Sequence, residues 1–255
     1  MTSSTRRRFV QLSAGALTTV LLPGAGWGAD VTPSQVAGPY YPTRKERGVV
    51  GGPAGDNDLL VVPGAAEEAV GTSILVTGQV LDREGRPVPA VLVELWQACS
   101  AGRYLSHRDH RAQRQRDPGF AYYGVCVADS AGFYAFRTLV PPSYPAGVGA
   151  WIRPRHLHFA VRGPGRRSFV TQMYFDDPAD PLNEAENLGL HGPDGIIATV
   201  PRSKRARLIR AVEAYPPGRV SERLGVAEGE PPWAGFVASK WAHFPLVLDE
   251  DLEQS

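Results

Sequence analysis

Two histidines, His156 and His158, lie one residue apart in the segment 156–162, HLHFAVR, which has the composition of a β-strand. Successive side chains of a strand point to opposite faces, so residues i and i+2 share one face. Two neighbouring imidazoles are an unusual choice for a hydrophobic core, whereas imidazole is a common metal ligand. We therefore interpret His156 and His158 as candidate ligands of a metal ion.

Carboxylates that would complete a conventional histidine site are missing nearby. The segment 133–175 contains no Asp or Glu. A zinc site of the His/Glu kind, or an iron site with two histidines and one carboxylate, would therefore need an acid from a distant segment. For the other histidines, a solvated or hydrogen-bonded imidazole is the simpler interpretation: His107, His110, His191 and His243.

Tyrosine is the residue that the neighbourhood does supply. Tyr144 precedes the histidine pair, and Tyr104 follows the predicted strand that carries Trp96. Metal ligands bind deprotonated, and two phenolates would offset much of the charge of a trivalent ion. Two tyrosines with two neutral histidines suit ferric iron better than zinc or copper(I).

The elements that must position these residues are short strands. Three pairs are predicted, each expected to form a hairpin: 74–82 with 90–98, 122–129 with 133–138, and 156–162 with 169–175. This spacing predicts an all-β fold, a sandwich or barrel. Residues 30–72 are predicted as loops and 176–201 as a polar insertion. Ser203 is predicted to cap a short helix over 204–214, with a last strand near 243–248.

The composition bounds the class of protein. The chain of 255 residues is long enough for one good-sized domain, which we assign to 30–255, and its 28 glycines and 23 prolines favour turns. A net charge of +1 argues against a nucleic-acid partner. Cys99 and Cys126 would permit a disulfide in an oxidising compartment, but their positions do not show whether they pair.

Residues 1–29 have the layout of an export signal, with a basic start, an apolar stretch and then small residues. Arg6 and Arg7 match the twin-arginine pattern. A membrane anchor or a chance basic start would be the alternatives, but residues 9–22 are too short for a comfortable span. We therefore predict a periplasmic or secreted protein with no stable membrane span. The cleavage position stays open.

Five motifs follow one another in a specific order: GQVLDREGRPVPAVLVELWQACSAGRY, DPGF, DSAGFYAFRTLVPPSYP, RPRHLHF and TQMYF. In this order they resemble the intradiol ring-cleavage dioxygenases, most of all the β-type subunits of protocatechuate 3,4-dioxygenases. The resemblance runs from about Gly38 to Phe175. The GRY, PxYP and RPxHxH motifs make it specific, because many exported sandwich modules share the first segment alone.

The resemblance implies an antiparallel β-sandwich of the intradiol dioxygenase type that uses Fe(III) as its cofactor. It implies four iron ligands: Tyr104, Tyr144, His156 and His158. It places Arg153 beside the substrate ring, where its charge would stabilise negative charge, and it makes Tyr144 also a base for a substrate proton. Trp96 and Gln172 match residues near the substrate, although a place in the sandwich interior would explain them equally well.

The implied reaction inserts both atoms of O2 into a catecholic ring and yields a cis,cis-muconate-type diacid. Ala146 stands where the family has a tryptophan, and the insertion after Phe175 has no counterpart in the pattern, so the ring substituent stays open. A homo-oligomer or an α-type partner subunit would fit the family. The hairpins alone would also fit an exported, non-catalytic sandwich module that binds a ligand or partner.

One segment bears on the substrate. Tyr41, Thr43 and Arg47 have the spacing Y-x-T-x-x-x-R, similar to the family segment that holds a substrate carboxylate. A planar guanidinium with nearby hydroxyls is a natural receptor for an aromatic carboxylate, which favours protocatechuate over catechol. The alternative is a solvated basic loop in which Arg44, Lys45 and Arg47 touch nothing.

Replacing Arg6 and Arg7 together by lysine should leave an uncleaved precursor in the cytoplasm, because the paired arginines identify the export pathway. Cell fractionation with immunoblotting measures the outcome. Mature variant protein in the periplasm would show that the signal is of another type.

Overall fold

The structure is a computed structural model that describes residues 30–50, 56–146, 151–163, 168–190, 194–226 and 230–249. The predicted export signal and His191 lie outside these ranges. Within them, no helix has the length and apolar character needed to cross a membrane.

Strands are the main regular elements of the described chain. The strands are β1 Ser73–Leu81, β2 Leu92–Trp96, β3 Tyr123–Val127, β4 Phe133–Leu139, β5 Tyr144–Pro145, β6 Ile152–Arg153, β7 His156–Arg162, β8 Phe169–Asp176, β9 Ile209–Ala211, β10 Glu213–Ala214, β11 Lys240–His243 and β12 Leu246–Val247. The helices are α1 Arg44–Val50, α2 Ala185–Leu190, α3 Arg202–Arg205 and α4 Val220–Leu224, with a 3-10 turn at Ile197–Thr199.

The strands form two five-stranded sheets and one short ribbon. In the first sheet the order is β10-β11-β1-β12, and β4 also pairs with β1; in the second it is β3-β2-β7-β8-β9. The ribbon is made by β5 and β6. The long pairings are antiparallel, whereas β9, β11 and β12 add in parallel. The predicted all-β sandwich is confirmed.

The main core lies between the two sheets, with the fully buried Phe159 of β7 near its centre. The Phe159 ring lies 6.0 Å from the ring of Tyr134, 6.2 Å from that of Phe136 and 5.2 Å from that of Phe244, measured between centroids. These contacts join the second sheet to β4 and to the chain between β11 and β12. Aromatic rings in contact across the layers therefore hold the sandwich together.

Two of the three predicted hairpins are wrong. β1 and β2 lie in different sheets, and so do β3 and β4; β1 pairs with β4, and β2 with β3. Each turn carries the chain from one sheet to the other. Turn residues are compatible with such a crossing as well as with a hairpin, so the sequence did not distinguish the two. The third hairpin is confirmed, since β7 pairs antiparallel with β8 and places His158 opposite Gln172.

The helix predicted over 204–214 is wrong in extent. α3 ends at Arg205, its N-cap is Pro201 rather than Ser203, and Ile209 begins β9 parallel to β8. The Tyr174 N–H donates to the Leu208 carbonyl at 2.7 Å. A segment with helical periodicity thus pairs with the edge of the sheet as β9. This tertiary contact overrides the local helical preference. The strand predicted near 243–248 is confirmed as the end of β11 together with β12.

Truncating Phe159 to alanine should lower the free energy of unfolding by about 3–5 kcal/mol, because it removes a buried ring and leaves a cavity between the sheets. Denaturant titration measures the loss. The control is Val127→Ala on β3, where a half-exposed side chain should change stability by only about 0.5 kcal/mol. Equal effects for both variants would contradict the central place of Phe159.

Candidate metal centre

The second sheet positions both histidines on the face turned away from the main core. Along β7, Leu157 and Phe159 belong to the core between the sheets, while His156 and His158 alternate with them and face the other way. Both imidazoles are nonetheless buried. Across the β2–β7 pairing His158 stands opposite Trp96.

The two tyrosines reach the histidines from separate segments. Tyr144 opens β5 and stands opposite Arg153 in the short ribbon. Tyr104 follows a tight turn after β2, in which Gly102 has a φ of +74° and a Cβ would lie 2.3 Å from Arg114 Nη1. The positive φ of Gly102 therefore favours glycine in the GRY motif, whereas the Arg114 side chain could move aside for a Cβ.

Four polar atoms converge in one buried cluster, which we call the tetrad: Tyr104, Tyr144, His156 and His158. The Tyr104 hydroxyl lies 3.2 Å from the Tyr144 hydroxyl, 3.2 Å from His156 Nε2 and 3.0 Å from His158 Nε2. The Tyr144 hydroxyl lies 3.2 Å from His156 Nε2. These spacings let all four atoms face a common point.

The histidines of the tetrad are held neutral. The pKa of each imidazole lies well below its usual value, first because burial disfavours the charged form and then because the Arg153 cation is close. His156 Nδ1 lies 2.6 Å from the Pro154 carbonyl, which as an acceptor requires the proton on Nδ1 and leaves the Nε2 lone pair for a metal. The tautomer of His156 is therefore the one that a ligand needs.

Burial acts on the tyrosines in the opposite sense. The pKa of Tyr104 is raised well above 10, chiefly by desolvation and next by Tyr144, and desolvation also raises the pKa of Tyr144. Protein groups alone therefore keep both phenols protonated at neutral pH. A highly charged cation beside them would favour the phenolates, because an opposite charge stabilises the ionised form.

The donor set of the tetrad fits a trivalent metal ion. The described part of the chain contains no group of three or more His, Cys, Asp or Glu side chains suited to a metal. A metal bound by these residues would therefore depend on the phenol oxygens. Two neutral nitrogens and two hard anionic oxygens match ferric iron.

A cavity of about 260 Å³ opens beside the tetrad. His158 and Tyr144 line it, together with Arg153, Gln172 and the small Ala146. Arg153 Nη2 donates to Gln172 Oε1 at 2.7 Å. The cavity therefore joins two members of the tetrad to a buried cation.

Trp96 has a supporting position. Its ring stacks on His158 with centroids 4.9 Å apart and planes 14° from parallel. Trp96 is fully buried and belongs to the small apolar cluster around Tyr104 and Tyr144. Its packing fixes the orientation of the His158 ring.

The segment predicted to hold a substrate carboxylate lies away from the cavity, around the buried Glu94. Arg47 Nη1 donates to the Tyr41 hydroxyl at 3.0 Å and lies 3.6 Å from Glu94 Oε1. The Tyr41 hydroxyl donates to Glu94 Oε2 at 3.1 Å, and Thr43 Oγ1 accepts from the Glu46 N–H in α1. The described residues that line the cavity do not include Tyr41, Thr43 or Arg47, and their substrate role stays a prediction.

The other candidate residues have ordinary partners. His107 Nδ1 lies 2.8 Å from Glu46 Oε1, and His243 Nδ1 lies 3.2 Å from Thr77 Oγ1. Cys99 and Cys126 are both buried and free, so they form no disulfide with each other.

The chain is similar in sequence to known dioxygenases. A family model described as dioxygenase matches residues 36–207. The protocatechuate 3,4-dioxygenase beta chain of Burkholderia cepacia is 42% identical over 158 residues, which cover 60% of this chain and 62% of that protein. The catechol 1,2-dioxygenase of Candida albicans is 32% identical over 157 residues, which cover 56% of this chain and 46% of that protein.

The chain belongs to the intradiol dioxygenase family. The match spans less than two thirds of the length of either relative. A solved intradiol ring-cleavage dioxygenase from Tetranychus urticae shares the fold, with a TM-score of 0.56 and 17% identity over 89% of this chain and 98% of that one. The segment matched by the family model contains the whole tetrad.

Sequence reasoning missed a second layer of residues around the tetrad of this intradiol dioxygenase. Asp109 accepts from the Tyr104 N–H at 2.8 Å and pairs with Arg111, whose Nε lies 2.7 Å from Asp109 Oδ1. The Arg111 guanidinium carbon lies 4.6 Å from the centre of the Tyr144 ring, and Tyr40 stacks on Tyr104 at 4.8 Å. Within a loop rich in charge, SHRDHRAQRQRD, nothing in the sequence distinguishes this Asp–Arg pair from solvated residues.

Replacing Asp109 by alanine should weaken metal binding by the tetrad by about 10- to 100-fold, because Asp109 holds the backbone of Tyr104 and the cation over Tyr144. Competition with a chelator measures the affinity. Asp58→Ala is the matched control, since Asp58 also accepts a backbone N–H and pairs with an arginine, Arg137 of β4 in the first sheet. Equal weakening by both variants would mean that general destabilisation is the cause.

Proposed function

We propose that this intradiol dioxygenase is Fe(III)-dependent and opens a catecholic ring between its two hydroxyls to give a cis,cis-muconate-type diacid. One observation supports this most strongly: two phenols and two neutral imidazoles converge in a buried cluster, beside a cavity that is lined by the guanidinium group of Arg153. The tetrad would bind the ferric iron, which would supply a Lewis acid for a catecholate and a redox centre for its reaction with O2.

Tyr144 is the member of the tetrad best placed to handle a substrate proton. Tyr144 lines the cavity, whereas the described lining does not include Tyr104. A catechol must lose its hydroxyl protons to bind a metal as a dianion, and a phenolate oxygen at the cavity wall is a base within reach. Tyr144 would take up one of these protons and a hydroxide ion in the cavity the other, while Tyr104 would stay in the interior as a lasting ligand.

Arg153 supplies electrostatic stabilisation. It is buried, it lines the same cavity, and the pKa of its guanidinium is raised above its usual value, with Tyr144 and Asp194 among the causes. A fixed cation in a water-poor pocket acts strongly on negative charge that develops on a bound ring. Arg153 would therefore lower the barrier to ring oxidation without binding the metal.

The substrate class that we propose is a single-ring catechol. The cavity of about 260 Å³ is small, which suits one aromatic ring with limited substituents. A relative named for protocatechuate is 42% identical and one named for catechol is 32% identical, which favours protocatechuate. Arg47 would need to leave Glu94 to hold its carboxylate.

We also propose a partner surface at the mouth of the cavity. Val36 and Trp151 line the cavity, yet they are 59% and 38% exposed. A second copy of the chain or an α-type subunit would cover them.

The predicted signal in residues 1–29 would deliver the protein to the periplasm with its metal already bound.

Protein produced with iron available should be wine-red and should consume O2 with catechol and with protocatechuate, because phenolates on Fe(III) give a visible charge-transfer band. Tyr104→Phe and Tyr144→Phe should each shift or weaken the band, and His156→Ala should lose iron. Absorption spectra, iron analysis and oxygen uptake measure these outcomes.

Tyr134→Phe is the matched control for the tyrosine variants, because Tyr134 is equally buried but its hydroxyl donates to the Phe244 carbonyl in the main core. It should keep the band of the wild type. Colourless wild-type protein with a full load of iron would falsify the proposed ligand set, and red protein that turns over no catechol would refute the proposed reaction alone.

A further inference from the structure

Arg153 has an anionic partner that comes from the segment after Phe175, which lies within the residues matched by the family model. Arg153 Nε donates to Asp194 Oδ2 at 2.8 Å, and Nη2 lies at the same distance from that oxygen. The Asp194 side chain is fully buried. Charges removed from water are tolerated when they are paired and hydrogen-bonded, so Arg153 and Asp194 form one unit.

The partners of Arg153 leave one part of its guanidinium group available. Asp194 accepts from Nε, and Gln172 Oε1 accepts from Nη2. Among the residues that the structure describes, none accepts a hydrogen bond from Nη1. Because Arg153 lines the cavity, Nη1 is the nitrogen left for a ligand there.

Asp194 is itself held firmly by its own segment. Its Oδ1 accepts from the Ile196 N–H at 2.8 Å, and its carbonyl accepts from the Ala198 N–H at 3.0 Å. The Ile196 carbonyl accepts from Gln35 Nε2 at 3.3 Å, and Ile196 lines the cavity. The carboxylate therefore has a fixed position that does not depend on Arg153.

We propose that Asp194 is a positioning residue for catalysis: it holds one edge of the Arg153 guanidinium so that Nη1 faces the substrate ring. The inference rests on the proposed function and assigns a role to a residue of the segment 176–201. A guanidinium has five donors in a rigid plane, so an anchor on one edge fixes the direction of the other. Without the carboxylate, the cation would turn toward other acceptors.

Asp194→Asn tests the proposal, because asparagine keeps the shape and the Oδ1 acceptor for Ile196 but loses the charge. Iron content and the visible band should match the wild type. The kcat/KM for a catechol should fall by about 10- to 100-fold, mainly through kcat, since misplacing a group that acts on the transition state has this effect. Asp177→Asn is the matched control, because it weakens the ion pair between Asp177 and Arg155. Both of these side chains are partly exposed, and neither lines the cavity. This variant should change kcat/KM by less than about twofold.

A double-mutant cycle separates positioning from folding. In an Arg153→Ala background, Asp194→Asn should lower kcat/KM by less than a further factor of about two, because its effect acts through Arg153. Arg153→Lys keeps a positive charge for Asp194, but its ammonium group has no second edge of donors to face the substrate. Its kcat should therefore fall nearly as far as that of Arg153→Ala. This variant replaces Asp194→Asn as the test if Asp194→Asn does not fold.

Additive losses in the cycle, or near-normal kcat in Arg153→Lys, would overturn the proposal. Wild-type protein without any catechol turnover would instead refute the proposed function, and this result is known before the variants are compared.

Discussion

Strand β7 is buried on both faces from His156 to Val161, and the rest of the structure depends on this constraint. One face must fill the apolar space between the sheets, and the other must carry the polar tetrad. Since side chains alternate with a period of two, a slip of one residue would place both imidazoles in the apolar core. The pairing of β7 with β2 and β8 fixes the register, which also sets Trp96 and Gln172 beside His158.

The polar face of the second sheet is an interior in its own right, and its charged groups satisfy one another. Arg153 pairs with Asp194, while Glu94 accepts from Tyr123 at 2.8 Å and from Arg162 at 2.9 Å. Removing one partner of such a pair leaves a buried charge uncompensated, which costs about 3–5 kcal/mol. The tetrad and the charged groups beside it are therefore part of the folded interior, and their geometry is supported by the same burial that stabilises the domain.

Burial also determines how the tetrad responds to a metal ion. It keeps the imidazoles neutral, as ligands require, but it opposes ionisation of the phenols. A trivalent ion reverses the balance for the phenols alone. Under the proposed function, metal binding therefore releases protons and stabilises the folded state, because the assembled site exists only when segments far apart in the chain are brought together.

The sequence alone determined the strand composition and the all-β class, because period-two alternation is a local property. The spacing of His156 and His158 and the neighbouring tyrosines indicated candidate ligands, and the family resemblance completed the tetrad. The sequence also indicated Arg153 and Gln172 through the family resemblance. It did not determine which strands pair: β1 and β2 follow one another yet lie in different sheets, since turn residues suit a hairpin and a crossing alike.

Only the tertiary structure decided the partners of the site. Asp194, Asp109 and Arg111 look like ordinary surface charges in the sequence and become significant because the fold removes them, wholly or partly, from water beside the tetrad. Arg47 has the spacing of a substrate clamp, but the fold places it against Glu94. Charge pairing and burial are properties of distance in space, and the contacts that matter here join residues up to 68 positions apart in the chain.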